Sequence, residues 1–89
     1  MSMTVNEWMA AVYGLERNDD AMRCRIGHYV RWRSPNPLRV DMICGVLNYT
    51  EDQVRSELRR IIRRMLRYSI PYKLIWDGDH TVTLIEEKK

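Results

Sequence analysis

Residues 51–69 carry six arginines, Arg55, Arg59, Arg60, Arg63, Arg64 and Arg67, against three acids, Glu51, Asp52 and Glu57. The guanidinium is a planar, permanently charged fork that meets phosphate or carboxylate oxygens in pairs, so a cluster of this residue type points to an anionic partner. The bias runs along the chain. Of its 15 basic residues only Lys73, Lys88 and Lys89 are lysines, and residues 21–39 hold five arginines and no acid. The formal net charge of +3 hides this segregation, because residues 1–20 set Arg17 against Glu7, Glu16, Asp19 and Asp20.

Other chemistries find little support. Cys24, His28, Cys44 and His80 make a nominal Cys₂His₂ set, but zinc sites of that type are built from two close pairs, and Cys44 and His80 each stand alone. No metal is expected. The chain has no P-loop, no nucleophile elbow and no HExxH, and Gly14, Gly27, Gly45 and Gly78 are too scattered to cradle a phosphate. With two histidines and no base paired to an orienting group, neither catalysis nor a cofactor is expected. Cys24 and Cys44 sit among apolar helical positions as free thiols, which fits a reducing compartment. No stretch approaches the roughly 20 apolar residues that cross a bilayer, and no basic-then-apolar leader opens the chain, so no membrane partner and a soluble, cytoplasmic protein are expected.

The elements that must position the arginines follow from periodicity and punctuation. At 89 residues, 45% hydrophobic and 30% charged, residues 1–89 suit a single packed domain. Thr4 with Glu7 forms a capping-box pattern, and Val5, Trp8, Met9, Val12 and Leu15 then recur on one side of a helix over about 5–16. Asn18, Asp19 and Asp20 offer a break and a new cap. Met22, Ile26, Tyr29 and Val30 continue at helical spacing, for a second helix over about 20–33 that ends at Ser34-Pro35-Asn36-Pro37.

Asn36 and Pro37 read as cap and first residue of a third helix, about 37–47. It is apolar on two faces, with Val40, Ile43 and Leu47 on one and Leu38, Met42 and Val46 on the other, which suits a helix sandwiched between two others or one lying at a dimer interface. After Asn48-Tyr49, Thr50 with Gln53 caps a fourth helix, about 50–68, whose core stripe is Val54, Leu58, Ile61, Ile62 and Met65. Two β-prone runs around Asp77-Gly78-Asp79 then predict a hairpin over about 71–86. Its face of Leu74, Trp76, Val82 and Leu84 suits packing on the helices. The fold class is α+β, mostly α.

This order of short helix, tight turn, longer helix and hairpin resembles the winged helix-turn-helix family. Residues 37–67 form the two-helix motif, residues 70–86 the wing, and the first helix is an addition at the N-terminus. The resemblance rests on element order, apolar spacing and Thr50 opening the second helix of the pair. It implies a small transcriptional regulator that reads the major groove of double-stranded DNA with helix 50–68.

On the wheel of that helix Ser56, Arg63 and Arg67 lie within about 20° of the outward centre, with Arg59 and Arg60 flanking it. Carried over by position, Gln53 and Ser56 become base readers, Gln53 suited to adenine. Arg59 and Arg60 become guanine or phosphate contacts, and Arg63 and Arg67 backbone contacts; Arg55 and Arg64 are nearer the border, and of these Arg55 is counted with the DNA contacts. On the wing, Lys73, His80 and Thr81 are the implied contacts, while the acidic tip repels phosphate. Arg23, Arg25 and Arg31 extend the basic surface or are merely solvated. Trp32 is either a core residue or a partner contact. The first helix, with Trp8 and Tyr13, either completes the domain or supports a homodimer that reads two half-sites. The alternative function is a protein-interaction module, an inhibitor or adaptor whose Arg face docks an acidic protein.

Overall fold

Thr4 opens the first helix, α1 (Val5–Tyr13), with a reciprocal cap: its hydroxyl accepts from the Glu7 N–H at 3.1 Å, and the Glu7 carboxylate accepts from the Thr4 N–H at 2.8 Å. The helix is shorter than the periodicity predicts. Gly14 takes φ 53°, a conformation that costs glycine little, and residues 14–16 tighten into a 3₁₀ turn. That change of winding carries Leu15 off the apolar stripe, so Leu15 is fully exposed while Trp8, Met9, Val12 and Tyr13 are buried.

The second helix, α2 (Met22–Arg33), also starts later than expected. Asn18 closes the preceding turn instead of capping the helix: its side-chain oxygen accepts from the Asp20 N–H and its carbonyl from the Ala21 N–H. Ala21 is the N-cap and makes no side-chain bond.

The computed structural model describes residues 2–87 and departs most from the sequence-based expectation at residues 36–39. Asn36 and Pro37 do not start a helix. Leu38–Arg39 form a short strand, β1, and α3 runs from Val40 to Leu47. Tertiary pairing decides this. Leu38 lies opposite Val82 and Arg39 opposite Thr81 in an antiparallel ladder, and the Val40 N–H donates to the His80 carbonyl at 2.8 Å, where a side-chain cap would otherwise serve. The strand also places the Leu38 side chain in the core. Asn48 ends α3 in the left-handed region, as asparagine tolerates.

Thr50 and Gln53 cap α4 (Glu51–Arg67) as their spacing predicts. The hairpin follows, with β2 (Tyr72–Asp77) and β3 (Thr81–Glu86) in register from Tyr72 opposite Glu86 to Asp77 opposite Thr81. Gly78, at φ 68°, supplies the positive φ of the tip. The three strands form one antiparallel sheet in the order β1-β3-β2. Among the described residues the chain is therefore an α+β fold, mostly helical, with four α-helices and this sheet.

One layer of core lies between the helices and the sheet, filled by Trp8, Ile26, Ile43, Leu58, Ile61 and Leu84 among others. Val82 and Leu84 are buried, and Leu74 and Trp76 pack against that core half-buried, as the alternation on the hairpin predicts. The first helix completes the domain, since Trp8 and Tyr13 are both inside. α3 lies against both α2 and α4, but its second apolar stripe is left partly uncovered. Val40 and Ile43 are buried and Leu47 packs on the core, but Met42 and Val46 are 40% and 59% exposed, on the side that neither helix covers.

Gly27 of α2 has a tight steric role. A Cβ built there would sit 2.2 Å from the Tyr13 hydroxyl, so only glycine lets the phenol cross α2 toward α4. In a helix interior Gly→Ala ordinarily stabilises by about 0.5–1 kcal/mol. Here the sign should invert. Gly27→Ala is expected to cost about 1–3 kcal/mol, the usual scale of overpacking, and to lower Tm by roughly 5–15 °C. A calorimetric Tm equal to or above that of the parent would show that the close approach is not constraining.

Candidate functional site

The six arginines of α4 have separate fates, set by their angle on the helix. On the flank toward the hairpin, Arg55 is engaged through Nε and Nη2. Its Nε donates to Glu51 at 3.0 Å, its Nη2 donates to the Asp79 carbonyl at 2.7 Å and lies 3.4 Å from His80 Nδ1, and its guanidinium stacks 5.5 Å from the centre of the Trp76 ring. Arg55 therefore fixes the hairpin against α4. On the opposite flank Arg60 and Arg64 converge on Glu16. Arg60 bonds it at 3.1 Å, and Arg64 bonds it closely while also donating to the Val12 carbonyl at 3.1 Å. This pair of cations holds the Glu16 carboxyl below the usual carboxylate range, the Arg64 hydrogen bond being the main cause.

Three arginines remain directed outward. Arg59, Arg63 and Arg67 are exposed, and among the described residues none is in an ion pair. Arg59 makes only a long contact with Ser56 Oγ at 3.4 Å, and Arg67 lies 6.0 Å from the centre of the Tyr68 ring. Ser56 and Asp52 are exposed on the same outward side.

Gln53 is exposed but committed. Its Oε1 accepts from the Thr50 N–H at 2.9 Å, which leaves the NH₂ group as its free donor. Bidentate reading of adenine needs both ends of the amide, so the second lone pair of Oε1 would serve the base while the first holds the cap. The two roles that sequence assigns to Gln53 thus share one oxygen.

Beside this face lies a groove of about 400 Å³ between the N-terminal turn of α2 and α4. Arg23, Arg60 and Arg63 line it together with Asp52, Gln53 and Ser56. Arg23 is the member of the α2 basic set that joins the α4 face. Arg25 is exposed beside His28, Tyr29 and Trp32 in a different groove, and Arg31 donates to the Met3 carbonyl and lies 5.2 Å from the centre of the Tyr72 ring. Trp32 is 60% exposed and so is no core residue.

The implied wing contacts are scattered. His80 is exposed at the tip next to Arg55, Thr81 is half-buried, and Lys73 is exposed at the far end of β2, away from the start of α4. Asp77 and Asp79 leave the tip acidic and exposed.

Glu57 lies under the groove and is the feature that sequence reasoning misses. It reads as the lone acid within an arginine run, yet it is 3% exposed. Its position on the wheel, on the flank toward α1 and α2 and not on the outward face, is the signal that would have located it. Glu57 Oε2 and the Arg23 carbonyl both lie 2.8 Å from the Tyr13 hydroxyl.

A phenol has one proton to donate, and an ionised carboxylate and a carbonyl are both acceptors. Both contacts are hydrogen bonds only when Glu57 carries a proton, donating to the phenol oxygen while the phenol donates to Arg23. Burial pushes the Glu57 carboxyl up, against the pull of the Tyr13 bond and of Arg60, Arg23 and Arg64. Burial and Glu57 together hold the Tyr13 phenol far above its usual range.

Among the described residues no three of His, Cys, Asp and Glu stand together as a metal site. Cys24 is buried, with its sulfur accepting from the Asn18 N–H, and burial pushes the Cys44 thiol up, away from the reactive thiolate. No helix among the described residues is long and apolar enough to cross a membrane. Compared with protein-family models, with curated proteins and with solved structures, the chain matches none of them.

The Glu57 proton carries a sign for stability. A carboxyl whose folded pKa is raised binds its proton more tightly in the native state, so stability falls as pH rises from the unfolded carboxyl range through the folded pKa. Glu57→Gln mimics the protonated side chain, since its NH₂ can donate to the phenol oxygen. Thermal melts from about pH 4 to 8 should show the variant gaining on the parent as pH rises, with the higher Tm at neutral pH. A variant less stable by the same amount at every pH would mean that an ionised Glu57 is the native acceptor.

Proposed function

We propose that the protein is a winged helix-turn-helix domain that binds double-stranded DNA, with α4 in the major groove, and that it acts as a small transcriptional regulator. The observation that carries this reading is the division among the α4 arginines. Arg55, Arg60 and Arg64 are used inside the domain, while Arg59, Arg63 and Arg67 face outward with no acid partner among the described residues. Architecture supports it: a short strand precedes α3, a three-residue turn of Asn48 to Thr50 joins α3 to α4, and the hairpin after α4 completes the sheet. In a helix-turn-helix the second helix presents its outer face to base edges and phosphates.

The roles narrow accordingly. Arg59 and Ser56, on the exposed N-terminal half of α4, are the base-directed residues. Arg63 and Arg67 grip phosphate, joined from α2 by Arg23. Arg55 and Arg60 serve the fold. The exposed Asp77 and Asp79 keep the hairpin tip off the backbone, and they are also the observation that favours the second reading, in which the arginine face docks an acidic protein surface.

The two readings separate on salt and on charge reversal. About three neutralised phosphates, at Arg23, Arg63 and Arg67, imply a log–log salt slope near −3 for duplex binding. Fluorescence anisotropy of a labelled duplex at about 50 and 200 mM salt should show that steep loss, and Arg59→Glu/Arg63→Glu should abolish binding while Arg25→Glu leaves it within about threefold. A protein that ignores duplex at low salt sinks the DNA reading and leaves the protein-docking one.

A further inference from the structure

β2 lies at the edge of the sheet, and among the described residues its outer side has no strand partner. The direction of its backbone groups follows from one bond. The Glu87 N–H donates to the Pro71 carbonyl at 2.9 Å, which makes 71 and 87 a hydrogen-bonded pair. Antiparallel alternation then turns the amides of Lys73, Ile75 and Asp77 toward β3 and those of Leu74 and Trp76 toward the open edge. The Tyr72 N–H is taken by the Ile70 carbonyl at 2.7 Å.

Beside this edge lies an apolar groove of about 540 Å³, lined by Ile62, Met65 and Leu66 of α4 and by Ile70 and Leu74. Leu66 is 78% exposed and Ile75 42%. An open strand edge next to exposed apolar side chains is a template for pairing.

The side chains on the outer face of β2 choose the occupant. They read Lys73, Ile75, Asp77, and an antiparallel copy of the same strand reads Asp77, Ile75, Lys73. We propose that β2 pairs with β2 of a second copy of this chain across a two-fold axis at Ile75. In this register Lys73 faces Asp77 of the second copy at both ends, and Ile75 meets its own equivalent on the axis. The open amides of Leu74 face those of Trp76. Sliding by one step of the pleat sets Lys73 against Ile75 or Ile75 against Asp77, so the paired charges specify one register. The two three-stranded sheets become continuous, and a two-fold axis normal to the sheet leaves both α4 helices on the same side, with Ile62 and Leu66 of each beside the seam.

Ile75 and its equivalent form a non-hydrogen-bonded pair, with Cα atoms about 4.5 Å apart, within disulfide reach. Under mild oxidant the full chain carrying Ile75→Cys should cross-link to a covalent dimer. The parent, with Cys24 and Cys44 only, and Lys73→Cys, whose equivalents lie far apart in this register, should not. In sedimentation equilibrium Lys73→Glu should weaken dimerisation about tenfold, because each reversal is felt twice across the axis, and Lys73→Glu/Asp77→Lys should restore it. A protein that stays monomeric at millimolar concentration would overturn the proposal. So would a dimer indifferent to both charge variants, or an Ile75→Cys chain that cross-links no faster than Lys73→Cys.

Discussion

The Tyr13 hydroxyl is where three helices meet. It leaves α1, crosses α2 over Gly27, touches the Arg23 carbonyl and ends against Glu57 of α4. Each participant constrains the others. A side chain at 27 would block the phenol, an unprotonated Glu57 would leave two acceptors competing for one proton, and a displaced α1 would withdraw both the phenol and the Val12 carbonyl that Arg64 holds. A buried polar contact of this kind adds little net energy when satisfied and costs heavily when broken, so it selects one helix arrangement more than it strengthens the fold. The seating of α4 against α1 and α2 is set in part by this contact.

Once α4 is fixed, identical side chains diverge. Arg55 and Arg63 are two turns apart in chemistry-neutral sequence, yet Arg55 meets a backbone carbonyl, a histidine and an indole face on the hairpin, while Arg63 meets solvent. Arg60 and Arg64 find Glu16, an acid forty-four and forty-eight residues away in sequence. A cation already paired and stacked has less to offer an incoming phosphate, because binding would first break what it holds. The charge available to a ligand is therefore smaller than the arginine count suggests, and it is concentrated on one strip of the helix with Arg23 at its margin.

The hairpin has a double role. Its tip is tied to α4 through Arg55 and to α3 through the bond from the Val40 N–H to the His80 carbonyl, and β1 closes one of its edges. The other edge stays open, and its Lys73 and Asp77 discourage most strands while matching their own copy. Charged side chains on an edge strand act here as a filter on partners as well as a guard against them.

Much of the architecture was legible from local rules. Thr4 with Glu7 and Thr50 with Gln53 announce two helix starts because a capping box closes within four residues, and Asp77-Gly78-Asp79 announces a hairpin because glycine alone enters its turn cheaply. The apolar spacing of α4 and the alternation along β3 identify core faces for the same local reason. The outward placement of Arg59, Arg63 and Arg67 is likewise a property of one helix and its period. Whether a DNA duplex or an acidic protein occupies that face is a matter of partner chemistry, which no local rule encodes.

What sequence misplaced involves contacts between distant segments. Asn36-Pro37 looks like a helix start until β3 pairs with Leu38 and Arg39, Leu15 looks apolar-inward until Gly14 changes the winding, and α3 looks covered on both apolar faces until Met42 and Val46 prove exposed. Glu57 looks like a surface acid until Tyr13 arrives across Gly27. By itself the sequence determined the caps, the turns and the face of each helix, because those interactions close within a turn or two of chain. Only the tertiary structure decided which arginines are spent, which acid is buried and which strand edge is left open, because each of those depends on side chains brought together from far apart along the chain.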